Sequence, residues 1–188
     1  SLQTLKHFLH LYKVFHSNIN RLLIESAPLS WPKVVWYKGN IPKHAFTFWV
    51  AHFNRLPIRA RTTAWDMNNP TLSCVCGAEP ETRDHHFIHC YLSSSIWRMV
   101  LHRFGRQLSF CDWPDMFDWI SSGTGQFSLT LKPLVIQKVI FYIWKERNDR
   151  IHSCINSSPT TVFKRIDRSV RESILAHIHE PAFPMVYC

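Results

Sequence analysis

Three cysteines and three histidines lie between Cys74 and Cys90. Thiolate sulfur and imidazole nitrogen are the ligands that zinc takes in closed, four-coordinate structural sites. A Cys74-Val75-Cys76 segment with a bent backbone can hold two sulfurs at the separation that a zinc tetrahedron needs, whereas a disulfide between these cysteines would be strained. Gly77 follows directly and tolerates the positive φ that turns the chain back. The pattern predicts a structural zinc knot, and the competing interpretation is scattered polar side chains with small buried thiols.

The second half of the cluster offers His85, His86 and His89 for one ligand position. If an α-helix runs from about Asp84 through Cys90, His86 and Cys90 share one face, whereas His85 points about 140° away. This geometry favours His86. If His85 instead lies in the turn where the helix begins, it can reach the metal, with Asp84 as a helix cap or as a hydrogen-bond partner of the ligand. The spacing leaves both histidines open.

The composition describes an ordered globular protein that is strongly basic. The 188 residues are 46% hydrophobic, include 5 glycines and carry a formal net charge of +9, so we expect one core of ordinary size. The remaining cysteines are isolated and no secretory signal is visible, which favours a reducing intracellular setting, nuclear or cytoplasmic. No apolar run approaches the roughly 20 residues that a membrane helix needs, so no membrane partner is expected.

Basic residues concentrate in two regions of the chain. Residues 26–65 contain no aspartate or glutamate, and residues 132–171 carry nine lysines and arginines against three acidic residues. Such regions are candidate surfaces for a polyanion, with ordinary solvated faces as the alternative. The side chains that we expect to contact nucleic acid are Lys43, Arg55, Arg59, Arg61, Lys164, Arg165, Arg168 and Arg171.

Hydrophobic periodicity predicts a mainly α fold, a helical domain with one small zinc-stabilised loop and helix knot. In the N-terminal half, an amphipathic helix is predicted from Leu2 to Ile24. A second helix begins at Ile41-Pro42, because proline is tolerated in the first turn. A short helix from Ile58 to Trp65 would present Arg59 and Arg61. The second helix is expected to bury Phe46, Trp49, Val50 and Phe53.

Three helices are expected after Cys90. The first is capped by serines within residues 93–95, buries Ile96, Trp97, Val100, Leu101 and Phe104, and ends at Gly105. The longest runs from Leu131 to His152, with Trp144 and Arg147 packed into the domain and the arginine stem on aromatic surface. The last follows Pro159 and buries Val162, Ile166, Val170 and Ile174. Asp112, Asp115 and Asp118 are interpreted as solvated carboxylates at a helix start rather than as a magnesium site.

Three separated blocks of the chain resemble a known family. They are residues 74–90, the segment I-W-K-E-R-N-D-R-I-H at 143–152, and W-P-K-V-V-W-Y-K-G-N-I-P-K-H-A-F-T-F-W-V-A-H-F-N-R-L-P-I-R-A-R at 31–61. The family is the zinc-binding domain found after the reverse transcriptase in plant LINE-type (non-LTR) retrotransposons. The resemblance implies zinc ligands at Cys74, Cys76, His85 and Cys90. Many members of that family have Cys-x-x-Cys where this chain has Ser73, and residues before Trp31 do not resemble the usual upstream segment.

The predicted helices hold no polymerase aspartate motif, RNase H carboxylate set, glycine-rich phosphate loop or nucleophile with an adjacent base. We therefore predict a non-enzymatic module with Zn²⁺ as cofactor, organised as an extension at 1–30, a zinc-binding domain at 31–178 and a tail at 179–188. It would hold template RNA or target DNA beside a polymerase. The alternatives are a helical module that binds a protein, and a decayed transposon fragment without selected activity.

Overall fold

The computed structural model describes residues 31–63, 70–122 and 130–178, and these residues form a mainly helical protein. They contain no β-sheet, and the strand-like pairing within them is an isolated antiparallel bridge between Leu72 and Pro80. This confirms the mainly α prediction. The helices are α1 (Trp31–Val35), α2 (Pro42–His52), α3 (Arg59–Thr63), a π-helix (His85–His89), α4 (Tyr91–Arg103), α5 (Trp113–Ser121), α6 (Leu131–Ser153) and α7 (Pro159–Ile178).

Helix α6 is the centre of the fold and contacts α1, α2, α5 and α7. Every residue from 132 to 140 is buried, as expected of a helix that neighbours surround on all sides. Gln137 secures α1 to it, because its side-chain amide donates to the carbonyls of Val34 and Val35 at 3.0 and 2.9 Å. The helix predicted from Leu131 to His152 is confirmed.

The buried face of α2 differs from the predicted one. Phe46 and Phe53 are 40% and 42% exposed, so the prediction is wrong for these two residues, while Trp49 and Val50 are partly buried against the core. The face turned inward instead carries His44, Ala45, Thr47, Phe48 and Ala51. On this face the His44 ring lies 4.3 Å from the Phe141 ring of α6, and the Phe48 ring lies 5.8 Å from the Trp113 ring, measured between ring centroids. Pro42 occupies the first turn as expected.

Helix α4 begins earlier than predicted. Its N-cap is Cys90, and the hydroxyl of Ser93 donates to the carbonyl of His86 rather than capping the helix. The predicted stripe is otherwise confirmed: Ile96, Trp97, Val100 and Leu101 are buried. In the following helix, α5, the carboxylate of Asp112 accepts from the Asp115 amide at 2.8 Å. This confirms a helix-start role for Asp112 and Asp115, whereas Asp118 lies inside the helix.

Helix α7 packs on α4 and α6. It buries Val162 and Ile166, whereas Ile174 is 36% exposed. Its four basic residues are all exposed, as the periodicity predicts. The short third helix spans Arg59–Thr63 in the structure.

Several predictions fall outside the described residues. They are the amphipathic helix at residues 2–24, the end of the short helix at 64–65 and the tail at 179–188. The division into an extension, a domain and a tail therefore stays a prediction. Among the helices of the described ranges, none combines the length and the apolar character needed to cross a membrane.

The same substitution at two isoleucines of α6 tests which side of this helix is buried. Ile143 is fully buried, whereas Ile151 is 38% exposed. We expect Ile143→Ala to lower the free energy of unfolding by about 2–5 kcal/mol, because it leaves a cavity in the core. Ile151→Ala should change it by less than about 1 kcal/mol. Urea unfolding of both variants measures the difference, and equal losses would contradict the described orientation of α6.

Candidate metal centre

A tight hairpin carries the first half of the cysteine and histidine cluster. The Ser73 amide donates to the Glu79 carbonyl at 2.7 Å, and the Gly77 amide donates to the Ser73 carbonyl at 2.8 Å. Gly77 has φ +67°, a left-handed conformation that side-chain-bearing residues rarely adopt. The glycine therefore closes the turn, as the sequence predicts, and places Cys76 at its tip.

The hairpin brings Cys76 to two residues of the following segment. The Sγ atoms of Cys76 and Cys90 and a ring nitrogen of His85 all lie within 4.8 Å of one another. The distance from Cys76 Sγ to His85 Nε2 is 3.3 Å. Bond lengths of about 2.3 Å to sulfur and 2.0 Å to nitrogen place two zinc ligands about 3.5–3.8 Å apart. Both the donor types and their spacing therefore fit a zinc ion.

The π-helix explains why His85, and not His86, faces Cys90. The Cys90 amide donates to the His85 carbonyl at 2.7 Å, five residues back. This i→i+5 bond aligns residues 85 and 90 on one side, whereas the α-helical geometry assumed from the sequence would align 86 with 90. That assumption is wrong for this segment. The amide of His85 donates to the Thr82 hydroxyl at 3.1 Å, while Asp84 makes no capping bond and instead pairs with Arg83.

The other two histidines have different surroundings. His86 is buried, and its ring packs edge-on against Phe87 and Trp144. Burial lowers the pKa of His86 to about 4, so it is neutral at physiological pH. His89 donates a ring N–H to the carbonyl of Cys111 at 2.8 Å. The His86 ring thus packs in the core with neither nitrogen hydrogen-bonded, whereas the His89 ring makes a hydrogen bond.

The pKa values of the two thiols in the cluster, Cys76 and Cys90, shift in opposite directions. Burial would raise the pKa of Cys76, but amide hydrogen bonds from Ala78 and Glu79, with the side chains of His85 and Ser73, lower it to about 6. Burial and the nearby Cys76 sulfur raise the pKa of Cys90 to about 11. A bound zinc would supply the positive charge that stabilises both as thiolates.

Cys74 lies apart from this group in the structure. Its thiol donates to the Glu81 carboxylate, with 3.3 Å between Sγ and Oε1. Burial and the neighbouring carboxylate raise the pKa of Cys74 to about 11. Of the four ligands that the resemblance implies, the structure thus brings three together, and the fourth position at Cys74 stays a prediction.

Glu81 connects the hairpin to α6 and to the start of α3 through hydrogen bonds. It is fully buried, and its carboxylate accepts from Arg147 at 2.9 and 3.3 Å and from the Arg59 amide at 2.8 Å. The Arg147 guanidinium lies 4.8 Å from the centre of the Trp144 ring, which confirms its predicted packing. Arg150 adds a second attachment, because it donates to the Val75 carbonyl at 3.0 Å. Sequence reasoning missed Glu81 and Arg150, although Arg150 lies in the block that resembles the family.

The residues predicted to contact nucleic acid fall into separate environments. Arg59 donates to the Leu72 carbonyl at 2.7 Å, and Arg61 donates to the Asn54 carbonyl. The Lys43 ammonium lies 5.2 Å from the centre of the Phe141 ring, and Arg55 is exposed. The remaining four lie on the exposed side of α7: Lys164, Arg165, Arg168 and Arg171.

The described residues form a helical protein with a candidate metal-binding cluster of Cys76, His85 and Cys90. Residues 10–97 match the family described as zinc-binding in reverse transcriptase. The matched region contains the whole cluster and begins inside the segment predicted to be an extension. The match supports the reverse transcriptase zinc-binding domain family and a zinc-binding module. Comparisons with curated proteins and with solved structures gave no match.

Zinc content should depend on individual members of the cluster. We expect Cys90→Ser and His85→Ala to lose most of the roughly one equivalent of zinc in the purified protein, because a structural site needs its full ligand set. His86→Ala should retain the metal. Cys154→Ser is the matched control, because Cys154 is an exposed cysteine outside the cluster. Metal analysis after gel filtration measures all four variants, and equal zinc in the His85 and His86 variants would contradict the assignment.

Breaking the Glu81–Arg147 ion pair should destabilise the protein strongly. We expect Glu81→Gln to lower the free energy of unfolding by about 3 kcal/mol at neutral pH, because it leaves a buried arginine without its counter-charge. The control is Asp149→Asn, which removes an ion pair to the half-exposed Lys145 and should cost less than about 1 kcal/mol. Urea unfolding gives both values, and similar losses would contradict the assigned importance of Glu81.

The loss of unfolding free energy caused by Glu81→Gln should depend on pH, because the Glu81 carboxyl titrates. Burial opposes ionisation, but the hydrogen bonds from Arg147 and the Arg59 amide hold this pKa below its ordinary value. A carboxyl with a lowered folded-state pKa stabilises the protein fully above its unfolded pKa of about 4.3. The stabilisation by the carboxylate is then lost as the pH falls through the pKa of Glu81 in the folded protein. The difference between wild type and Glu81→Gln should therefore narrow below about pH 4.

Proposed function

We propose that this chain is a zinc-stabilised nucleic-acid-binding module of a LINE-type reverse transcriptase, of the kind carried by plant retrotransposons. The module holds template RNA or target DNA beside a polymerase and performs no catalysis itself. The match of residues 10–97 and the Cys76, His85 and Cys90 cluster support the zinc-binding part of this proposal. The resemblance of the three sequence blocks supports the retrotransposon origin.

The basic surface of α7 is the observation that carries the nucleic-acid part. Lys164, Arg165, Arg168 and Arg171 are exposed along this helix. The neighbouring helix α4 adds Arg98 and Arg103 and contains no acidic residue. The two helices together carry six lysines and arginines, against Asp167 and Glu172. Exposed cations in a row neutralise phosphates and release counterions, which gives binding with little sequence preference.

The metal cluster would support this surface from the far end of α4. Cys90 is the N-cap of α4, and α7 packs against the same helix. A metal held by Cys76, His85 and Cys90 joins the hairpin to the start of α4, because the cluster takes ligands from both. Zinc thus acts structurally, and the phosphate contacts come from side chains at a distance from it.

The salt dependence of binding tests this function. Contacts to four or five phosphates should give a log-log slope of roughly −3 to −4 between about 50 and 200 mM salt. Lys164→Gln combined with Arg168→Gln should flatten this slope by about one to two units. Lys145→Gln is the control, because this exposed lysine lies on α6 and pairs with Asp149. Fluorescence anisotropy with labelled oligonucleotides measures each slope.

Two results would reject the proposed function. The first is absence of binding at about 50 mM salt, and the second is binding that salt does not change. Either result, with zinc content and helicity unchanged, would leave a protein-binding module or an inactive transposon fragment as the better interpretation.

A further inference from the structure

A surface groove of about 700 Å³ runs between α4 and α7. Its lining combines cationic and apolar side chains, namely Arg98, Met99, His102, Arg103 and Phe163. None of these residues is a nucleic-acid contact in the sequence-based prediction. The groove is open to solvent, so part of an extended chain can enter it without a change in the protein.

The arginines of the groove differ in their ion pairs. Asp167 pairs with Arg103 at 3.6 Å and with Arg171, outside the groove, at 2.9 Å. Within the described ranges, no carboxylate forms an ion pair with Arg98, which is exposed. Arg98 and His102 are one helical turn apart on α4 and therefore lie side by side. An anion that binds beside Arg98 and His102 therefore meets hydrogen-bond donors, and no carboxylate competes with it for Arg98.

Phe163 supplies the apolar wall of the same groove. It is partly buried against the core, where Val162 and Ile166 of the same helix are fully enclosed. Its remaining surface lines the groove opposite the α4 arginines. An aromatic ring beside arginines is the combination on which bases of single strands stack while cations hold the phosphates. Met99 adds a polarisable, adaptable contact.

We infer that this groove binds single-stranded nucleic acid, with a phosphate on Arg98 and His102 and an unpaired base on Phe163. The inference rests on the proposed function and assigns it a site and a strand state. In a duplex, each base is covered on both faces by its neighbours, so a recessed ring such as Phe163 can stack only on a base outside a helix. Every base presents an aromatic face, and hence the site should tolerate any sequence.

Two substitutions distinguish the contribution of base stacking to binding from the contribution of the positive charge. Phe163→Leu keeps an apolar side chain but removes the aromatic face, and it should weaken binding of a single strand of about ten nucleotides by roughly ten-fold without changing the salt slope. Arg98→Gln should flatten the slope by about one unit. Duplex of the same length and a strand with abasic residues should bind Phe163→Leu and wild type equally. RNA and DNA single strands are both measured, by fluorescence anisotropy.

The matched controls carry the same changes elsewhere. Phe53→Leu alters a phenylalanine that is 42% exposed at the end of α2, and Lys145→Gln removes an exposed charge on α6. Neither control should change affinity by more than about two-fold. Zinc content and circular dichroism of every variant establish that it is folded. If Phe163→Leu does not fold, the Arg98→Gln slope decides, because this exposed side chain has no packing role.

The outcomes distinguish the inference from the proposed function. If wild type binds no oligonucleotide at about 50 mM salt, both fail. If wild type binds with the expected salt dependence but Phe163→Leu and Arg98→Gln behave like their controls, the groove is not the site and the proposed function stands. Tighter binding of duplex than of single strand would also overturn the inference while leaving the proposed function in place.

Discussion

The buried ion pair between Glu81 and Arg147 is the interaction on which the arrangement of the metal centre depends. One carboxylate joins the hairpin, the start of α3 and the central helix α6, because it accepts from the Arg59 amide and from Arg147. Removing two charges from water costs free energy, which only good geometry and further hydrogen bonds recover. Here the guanidinium also donates to the Pro57 carbonyl at 3.2 Å and covers Trp144. The directional bonds therefore hold the hairpin in one position.

The metal cluster adds a second constraint at the other side of the hairpin. Glu81 and Arg150 attach the hairpin to α6, and Cys76 then meets His85 and Cys90 at the start of α4. The π-helix matters here because its i→i+5 bond turns His85 toward Cys90. A segment that departs from α-helical geometry at a group of ligands fits the general observation that π-helical turns occur at functional sites. The ion pair thus positions the hairpin, and the candidate cluster lies between the hairpin and the N-cap of α4.

Much of the fold could be predicted from residue pattern. Helices α6 and α7 have long apolar repeats, and their packing depends mainly on where hydrophobic residues recur. The face of α2 could not be predicted this way, because that segment has apolar residues on both sides. In the structure the buried side carries Ala45, Phe48 and Ala51, while Phe46 and Phe53 are exposed. The first residue of α4 is also not predictable from the pattern, because Cys90 occupies the N-cap position that serines usually take.

The sequence by itself determined the types and the order of the candidate ligands, the glycine that closes the hairpin and the basic excess. These are local properties, fixed by which side chains are present and by how far apart they lie along the chain. Only the tertiary structure decided the rest: that His85 faces Cys76, that Cys74 contacts Glu81, and that Arg59 and Arg61 bond to carbonyls. The reason is physical. Each of these depends on a contact between distant segments, or on a helical pitch that neighbouring residues do not specify.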